Sequence, residues 1–193
     1  FTAGGATETV ASERSSWTSS GEFTHRATVV NGTTAFAEGT VLRNRSVYFL
    51  RATPILDGAF VYGYEATGGG DLDVRTSVTL RYQSVSAADE GNRTVYWRVE
   101  RPLNRSAATL EPGDRLRTPF SVNVSAAEAE ARRIDAELGG TPGDVEVVVL
   151  SRVRIDGTRN GQSVSTTRRY EARIAPSDGI YEVRNAGPRT VSD

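Results

Sequence analysis

Apolar and polar residues alternate with a two-residue period along most of the chain. The clearest run extends from Leu72 to Gln83, where an apolar residue or a threonine occupies every second position. A β-strand with one packed face and one wet face has this period, whereas a helix would spread the same residues around its axis. Similar runs lie at 23–29, 60–66, 95–99, 145–155 and 170–174, with shorter ones around 41–50, 120–124 and 180–183.

Turn signals separate the runs and indicate how they connect. Asn31-Gly32 closes the first run, Gly68 to Gly70 follow the run at 60–66, and Pro102 follows the run at 95–99. Because Asp156-Gly157 and Asn160-Gly161 lie between two long runs, we predict that 156–161 is the loop of a long hairpin.

One segment breaks the alternation and predicts a helix over about 125–138. Ser125 and Glu128 have the spacing of a capping box, the following residues favour helix, and Gly139-Gly140 supplies a stop. About eight strands and one connecting helix predict an all-β chain with an antiparallel β-sandwich, immunoglobulin-like or related.

The two ends of the chain differ from its middle. Small and polar residues dominate the first twenty positions, and 1–21 is predicted to be a flexible linker or stalk. The sandwich ectodomain is predicted over 22–184, and 185–193 is predicted to be a C-terminal tail. Methionine is absent even at position 1, so we expect a processed or trimmed part of a longer product.

Composition narrows the classes of function. The 193 residues include 23 basic and 24 acidic side chains, so no excess charge favours nucleic acid or a membrane surface as partner. The absence of cysteine excludes disulfides, thiolate metal sites and a cysteine nucleophile. Every basic residue is arginine, a bias that suits a GC-rich genome or a salt-rich setting. No apolar run approaches the about 20 residues of a membrane-spanning helix.

Asparagine placement is the strongest functional signal. Five of the seven asparagines begin an Asn-x-Ser/Thr triplet, the acceptor pattern for N-glycosylation: Asn31, Asn44, Asn92, Asn104 and Asn123. Serine and threonine make up about a fifth of the chain, so random placement gives only about one or two such triplets. Shared loop preference of asparagine and hydroxyl residues is the alternative. Alternation around Asn123 places that side chain in water, which favours glycosylation.

The side chains that carry chemistry are few. His25 shares a strand face with Phe23 and Ala27, which predicts a partly buried, hydrogen-bonded histidine rather than a catalytic base. Asp71 and Asp73 after the glycine run suit either a calcium ion or a charged strand entrance. We predict no catalytic residue, no metal ligand and no cofactor.

Arginines also concentrate on the strands of the predicted hairpin, at Arg152, Arg154, Arg168, Arg169 and Arg173. Such a group can recognise an acidic glycan or another anionic partner through bidentate contacts. Glu146 and Glu171 lie on the same strands, and cross-strand charge pairing is the interpretation we favour.

The middle and end of the chain resemble an archaeal family, common in haloarchaea, known as domain of unknown function 5305. The resemblance covers most of 22–184 and rests on Tyr48-Phe49, Phe60 to Tyr64, Trp97, Glu137-Leu138-Gly139 with Pro142-Gly143, and Tyr181 to Val183. It implies an extracytoplasmic domain held by flanking membrane helices, often encoded near a type I signal peptidase, with no established activity or functional residues. The near-zero net charge departs from the strong acidity expected of haloarchaeal proteins.

These observations predict a non-enzymatic, N-glycosylated cell-surface ectodomain, anchored through segments outside this chain. Its expected partner is a protein at the cell surface or membrane, and an accessory role beside a signal peptidase follows from the resemblance alone. One alternative is a filament or pilus subunit that assembles by N-terminal strand addition. The other is a secreted polysaccharide hydrolase.

Overall fold

Two antiparallel sheets pack face to face in the computed structural model, which describes residues 15–86 and 92–192. This arrangement confirms the predicted β-sandwich, with eleven strands in the described residues instead of about eight. The elements are β1 (Trp17–Thr28), β2 (Val41–Arg43), β3 (Val47–Phe49), β4 (Ile55–Ala66), β5 (Leu72–Val85), β6 (Val95–Leu110), β7 (Arg115–Asn123), α1 (Val124–Glu137), β8 (Asp144–Arg159), β9 (Gln162–Ser177), β10 (Ile180–Arg184) and β11 (Arg189–Ser192).

The order of the strands defines two opposite ends of the sandwich. Sheet A has the order β11-β1-β4-β7, with β2 also paired to β1, and sheet B has the order β3-β10-β9-β8-β5-β6. Thr18 faces Ser192 in the register of β1 and β11, so the first and last strands meet at one end, here called the terminal end. The loop 29–40, the turn 177–180 and the start of α1 lie at the other, the distal end.

The core lies between the inward faces of the two sheets, as the alternation predicts. In β5 the residues Leu72, Val74 and Val78 are each at most 1% exposed. Aromatic rings join the layers: the Phe23 and Phe60 ring centroids are 5.0 Å apart, and the Phe60 ring lies 5.1 Å from that of Tyr170 on sheet B. These inward faces hold the two sheets together.

The helix has nearly the predicted bounds but a different cap. Asn123 is the N-cap residue, and its Oδ1 accepts a hydrogen bond of 3.0 Å from the backbone N–H of Ala126. The predicted capping box of Ser125 and Glu128 is wrong, because β7 continues to Asn123 and Ser125 already lies within the helix. Gly139 and Gly140 follow the helix with φ of 84° and 82°, a conformation that suits glycine and confirms the predicted stop.

The sandwich extends further along the chain at both ends than 22–184. β1 begins at Trp17 inside the predicted linker, and β11 occupies 189–192 inside the predicted tail. The two segments pair with each other and complete sheet A. Backbone hydrogen bonds hold these strands, so the small and polar side chains that suggested a linker do not prevent pairing. Residues 1–14 of that linker lie outside the described residues.

Two predicted strand ends are also displaced. Pro102 does not end its strand, because β6 lies at the edge of sheet B and the register shifts beside it, between Val78 and Thr79. The predicted hairpin loop 156–161 shrinks to a turn at Asn160-Gly161, with φ of 49° and 74°. Positive φ at both turn residues matches the twist of the flanking strands, so β8 and β9 pair from the turn as far as Val147 and Ile174.

Candidate glycan-acceptor sites and the surfaces around them

The five predicted glycan acceptors are all exposed. Asn31 follows β1, Asn44 follows β2, Asn92 precedes β6, Asn104 lies within β6 and Asn123 ends β7. A glycan is bulky and strongly hydrated, so exposure is the first requirement for an acceptor. Successive side chains of a strand point to opposite faces, which explains why Asn123 is exposed while its neighbour Val122 is buried in the core.

Hydrogen bonds distinguish the acceptors from one another. Asn44 and Asn123 use only the amide oxygen, which accepts from the backbone N–H of His25 at 3.1 Å and of Ala126 at 3.0 Å. In Asn31 and Asn104 the amide nitrogen itself donates, to the carbonyl oxygens of Arg51 and Pro119. An N-linked glycan replaces one of the two amide hydrogens. Asn44 and Asn123 can therefore carry a glycan and keep these two hydrogen bonds.

The acceptors avoid one end of the sandwich. Asn31, Asn92 and Asn123 lie at the distal end, and Asn44 follows a strand that pairs with the distal part of β1. Asn104 lies along the edge strand of sheet B, opposite Val78. Among the described residues, none of the triplets lies at the terminal end, where the first and last strands meet.

A cavity of about 570 Å³ lies beside Asn31 at the distal end. Phe36 and Phe49 line it with their ring centroids 5.8 Å apart, and Phe49 is 38% exposed. Val30, at 45% exposed, lies next to Asn31 in the chain. We call Val30, Phe36 and Phe49 the distal apolar patch. Apolar side chains that lie wholly or partly exposed at one end of a domain are typical of protein-binding surfaces.

His25 is half-buried and hydrogen-bonded, as its place on the strand predicts. Its Nδ1 lies 2.7 Å from the hydroxyl oxygen of Tyr48, and the Tyr48 ring stacks on that of Tyr181 with 5.3 Å between centroids. Burial lowers the pKa of the imidazole below its usual value of 6.5. The ring is thus neutral at pH 7 and helps to join β1 to the edge of sheet B.

Two of the five hairpin arginines, Arg152 and Arg173, form ion pairs across the outer face of sheet B, which confirms cross-strand charge pairing for these two. Arg152 lies 2.8 Å from Glu100, and Arg173 lies 2.9 Å from Glu146. The sequence did not indicate the third arginine, Arg81 on β5, which lies 2.9 Å from Glu171 and 3.1 Å from Glu100. We call this set the sheet-B lattice: Arg81, Glu100, Glu146, Arg152, Glu171 and Arg173.

The sheet-B lattice is partly buried although it lies on an outer face. Arg81 and Glu146 are only 4% and 3% exposed. Val148 lies between Arg81 and Arg173 in the register and is 4% exposed, so the long charged side chains cover an apolar strip of the sheet. Hydrogen bonds from Arg152 and Arg81 lower the pKa of Glu100 below its usual value.

The outer face of sheet A carries a different feature, a concave groove of about 540 Å³. Arginines from three strands line it, namely Arg26 on β1, Arg43 on β2 and Arg117 on β7. We call it the sheet-A groove. Sequence reasoning did not select these residues, because they lie on three separate strands and only strand pairing brings them together.

The described residues contain neither a cluster suited to a metal ion nor a helix suited to a membrane. Within 15–86 and 92–192, His, Asp and Glu side chains form no group of three that could hold a metal ion. Of the two carboxylates after the glycine run, Asp73 accepts a hydrogen bond of 2.6 Å from the hydroxyl of Thr109. The single helix of the described chain is too short and too polar to cross a bilayer.

Comparisons with known proteins give one family and one solved structure. The crystal structure of Spo0M, a sporulation control protein from Bacillus subtilis, matches with 16% sequence identity and a TM-score of 0.26. The match covers 78% of this chain and 48% of that chain, so this chain spans about half the length of the solved protein. No curated protein matches. The model of the family of unknown function DUF5305 matches residues 97–192, so the C-terminal half of the chain is similar to that family.

Proposed function

We propose that the chain is a non-enzymatic, N-glycosylated ectodomain of a cell-surface protein, anchored in a membrane through segments outside this chain. Its role is partner binding or surface assembly. The observation that carries the proposal is the placement of the five acceptor asparagines, all exposed and all away from the terminal end. Random solvent exposure would not favour one end of the sandwich over the other.

The path of the chain supports anchoring at the terminal end. β1 and β11 are neighbours in sheet A, and Thr18 faces Ser192. The first and last described strands therefore bring their outer ends side by side, where flanking segments would attach. Anchors on these segments would hold the terminal end toward the membrane and the distal end away from it. Glycans on the distal half would then lie on the side that faces the surroundings.

The distal apolar patch is the proposed surface for a protein partner. Phe36, which is partly buried, and Phe49, which is exposed, form an aromatic pair beside a cavity, and aromatic side chains are enriched where proteins bind one another. Asn31 borders the same cavity, so its glycan would limit the directions from which a partner approaches. An accessory role beside a signal peptidase rests on the family resemblance alone.

Glycosylation is tested on protein purified from its native host, by intact mass and by mass spectrometry of the glycopeptides. Ser125→Ala removes the triplet of Asn123 but leaves its side chain as the helix cap. We expect this variant to lose one glycan mass, while the matched Ser125→Thr, which preserves the triplet, keeps it. Ser46→Ala and Ser46→Thr make the same pair for Asn44. A native mass equal to the bare polypeptide would contradict the proposal.

Surface location is tested by brief trypsin treatment of intact cells. The chain has no lysine side chain for an amine-directed label to modify, whereas its 23 arginines give trypsin many cleavage sites. We expect the exposed arginines of the sandwich to be cleaved without cell lysis. Cleavage that occurs only after lysis would refute the surface location. Neither the filament-subunit nor the hydrolase alternative is favoured by a specific feature of the described residues.

A further inference from the structure

The sheet-A groove brings together side chains that are far apart in sequence. Arg26 on β1 faces Arg43 on β2 on one side and Asp57 on β4 on the other, and Asp57 in turn faces Ser121 on β7. Arg117, two outward positions before Ser121 on β7, lines the groove from its other end. The result is a polar concavity on the outward face of four paired strands.

The positive charges of the groove outnumber its negative charges. Arg26, Arg43 and Arg117 are exposed and form no ion pair with any residue in 15–86 or 92–192. Asp57 is the single carboxylate that lines the groove, and its Oδ1 accepts a hydrogen bond of 2.8 Å from Ser121. Three positive charges therefore meet one negative charge, in a chain whose net charge is -1.

The other lining groups indicate what kind of anion fits. A guanidinium binds a carboxylate or sulfate through two parallel hydrogen bonds, so the arginines select a planar or tetrahedral oxyanion. Asp57 and Thr24 also line the groove and can bind hydroxyl groups, and Pro119 offers a small apolar surface. A ligand with an acidic group, several hydroxyls and an apolar ring face matches this set.

We propose that the sheet-A groove binds an acidic saccharide from outside the chain. The arginines hold its carboxylate or sulfate, and the polar groups between them hold its hydroxyls. The groove consists of side chains alone and needs no attached glycan. Loss of this binding would therefore leave the proposed glycosylation and surface location intact, and absence of glycosylation would leave the groove intact.

The binding test uses the full chain made without glycans in a bacterial host. Trigalacturonate is the acidic probe and the neutral galactose trimer is its control, with affinities measured by calorimetric titration. Arg117→Gln removes a charge-assisted hydrogen bond, and we expect it to weaken trigalacturonate binding about tenfold. The matched control is Arg154→Gln on sheet B, an exposed arginine already paired with Asp156 at 2.9 Å, for which we expect less than about a twofold change.

Several outcomes would overturn the proposal. Equal affinity for the neutral trimer would show that the arginines do not select the ligand. An equal loss of trigalacturonate affinity in Arg117→Gln and Arg154→Gln would show a general effect of surface charge. Inorganic sulfate that binds as tightly as trigalacturonate would overturn the saccharide assignment, because it uses the arginines but not the hydroxyl-binding groups. Far-ultraviolet circular dichroism and a urea midpoint identify any variant that has lost its fold, and Arg26→Gln then serves as the second groove variant.

Discussion

The sheet-B lattice and the sheet-A groove use arginine in opposite ways. On sheet B, Arg81 lies within 3.1 Å of both Glu100 and Glu171 and is 4% exposed. On sheet A, Arg26 and Arg117 are exposed and have no ion pair within 15–86 or 92–192. The arginines of the sheet-B lattice are paired with carboxylates of the same sheet. The arginines of the sheet-A groove present their charge to solvent in a concave surface.

Paired arginines are expected to contribute to the stability of the fold, and unpaired arginines are expected to contribute to the binding of a ligand. A guanidinium that is already bound to carboxylates on neighbouring strands has few donors left for a ligand, and its removal leaves buried charge behind. An unpaired, exposed guanidinium contributes little to folding and keeps its donors for a partner. Sheet B is therefore expected to respond to substitution in stability, and the sheet-A groove is expected to respond in affinity.

The largest expected effect is on the stability of sheet B. Glu146 has 2% of its side chain exposed and lies close to both Arg93 and Arg173. Glu146→Gln leaves these arginines without their counter-charge, and we expect the free energy of unfolding to fall by about 3 kcal/mol. Equilibrium unfolding in urea measures the change. The control, Arg26→Gln in the groove, is expected to change it by less than about 0.5 kcal/mol. A similar loss of unfolding free energy in the two variants would show that the two sheet faces do not differ in their contribution to stability.

A carboxylate introduced into the sheet-A groove should make it resemble sheet B. Ser121→Glu places a second acid beside Asp57, and we expect trigalacturonate to bind about tenfold more weakly, with unfolding free energy changed by less than about 0.5 kcal/mol. Ser121→Gln is the matched neutral control, since it loses the same hydrogen bond to Asp57. Calorimetric titration compares the two variants. Equal affinities would mean that the charge of the groove does not govern binding.

Salt should affect the two faces unequally. Raising sodium chloride from about 0.1 M to about 1 M shortens the screening length from about 10 Å to about 3 Å. We expect trigalacturonate affinity to fall several-fold, because the groove arginines are exposed. The destabilisation caused by Glu146→Gln should change by less than about 0.5 kcal/mol, because Glu146 is shielded from solvent. Urea unfolding at both salt concentrations provides the second measurement, and a salt-sensitive Glu146 effect would contradict its burial.

The smallest expected effect is the acid response of Glu100. Arg152 and Arg81 hold its pKa below the usual value of 4.5, so its charged form is favoured in the folded chain. That contribution to stability is present above about pH 4.5 and is lost as pH falls through the lowered pKa. The urea midpoint of Glu100→Gln should therefore fall less between about pH 6 and about pH 3.5 than that of the wild type. An equal fall in both proteins would show that Glu100 has no such role.

Local patterns account for much of the fold. The two-residue period identified β5 from Leu72 onward and the inward and outward faces of most strands, because side-chain direction in a strand depends only on sequence position. The same rule predicted that Asn123 is exposed beside buried Val122. Helix preference and the glycine pair bounded α1 to within one residue, although the cap was assigned to Ser125 instead of Asn123.

Local sequence patterns did not predict which strands pair when those strands are far apart in the chain. The pairing of Thr18 with Ser192 depends on backbone hydrogen bonds, which leave no mark in side-chain periodicity. The union of Arg26, Asp57 and Ser121 in one row depends on the register of three strands. The sequence alone was enough to predict an all-β sandwich whose Asn-x-Ser/Thr asparagines are exposed to solvent. Strand faces and turns are local properties of the chain. Only the tertiary structure decided which arginines are neutralised and which are open to a ligand, because charge pairing requires strands to meet.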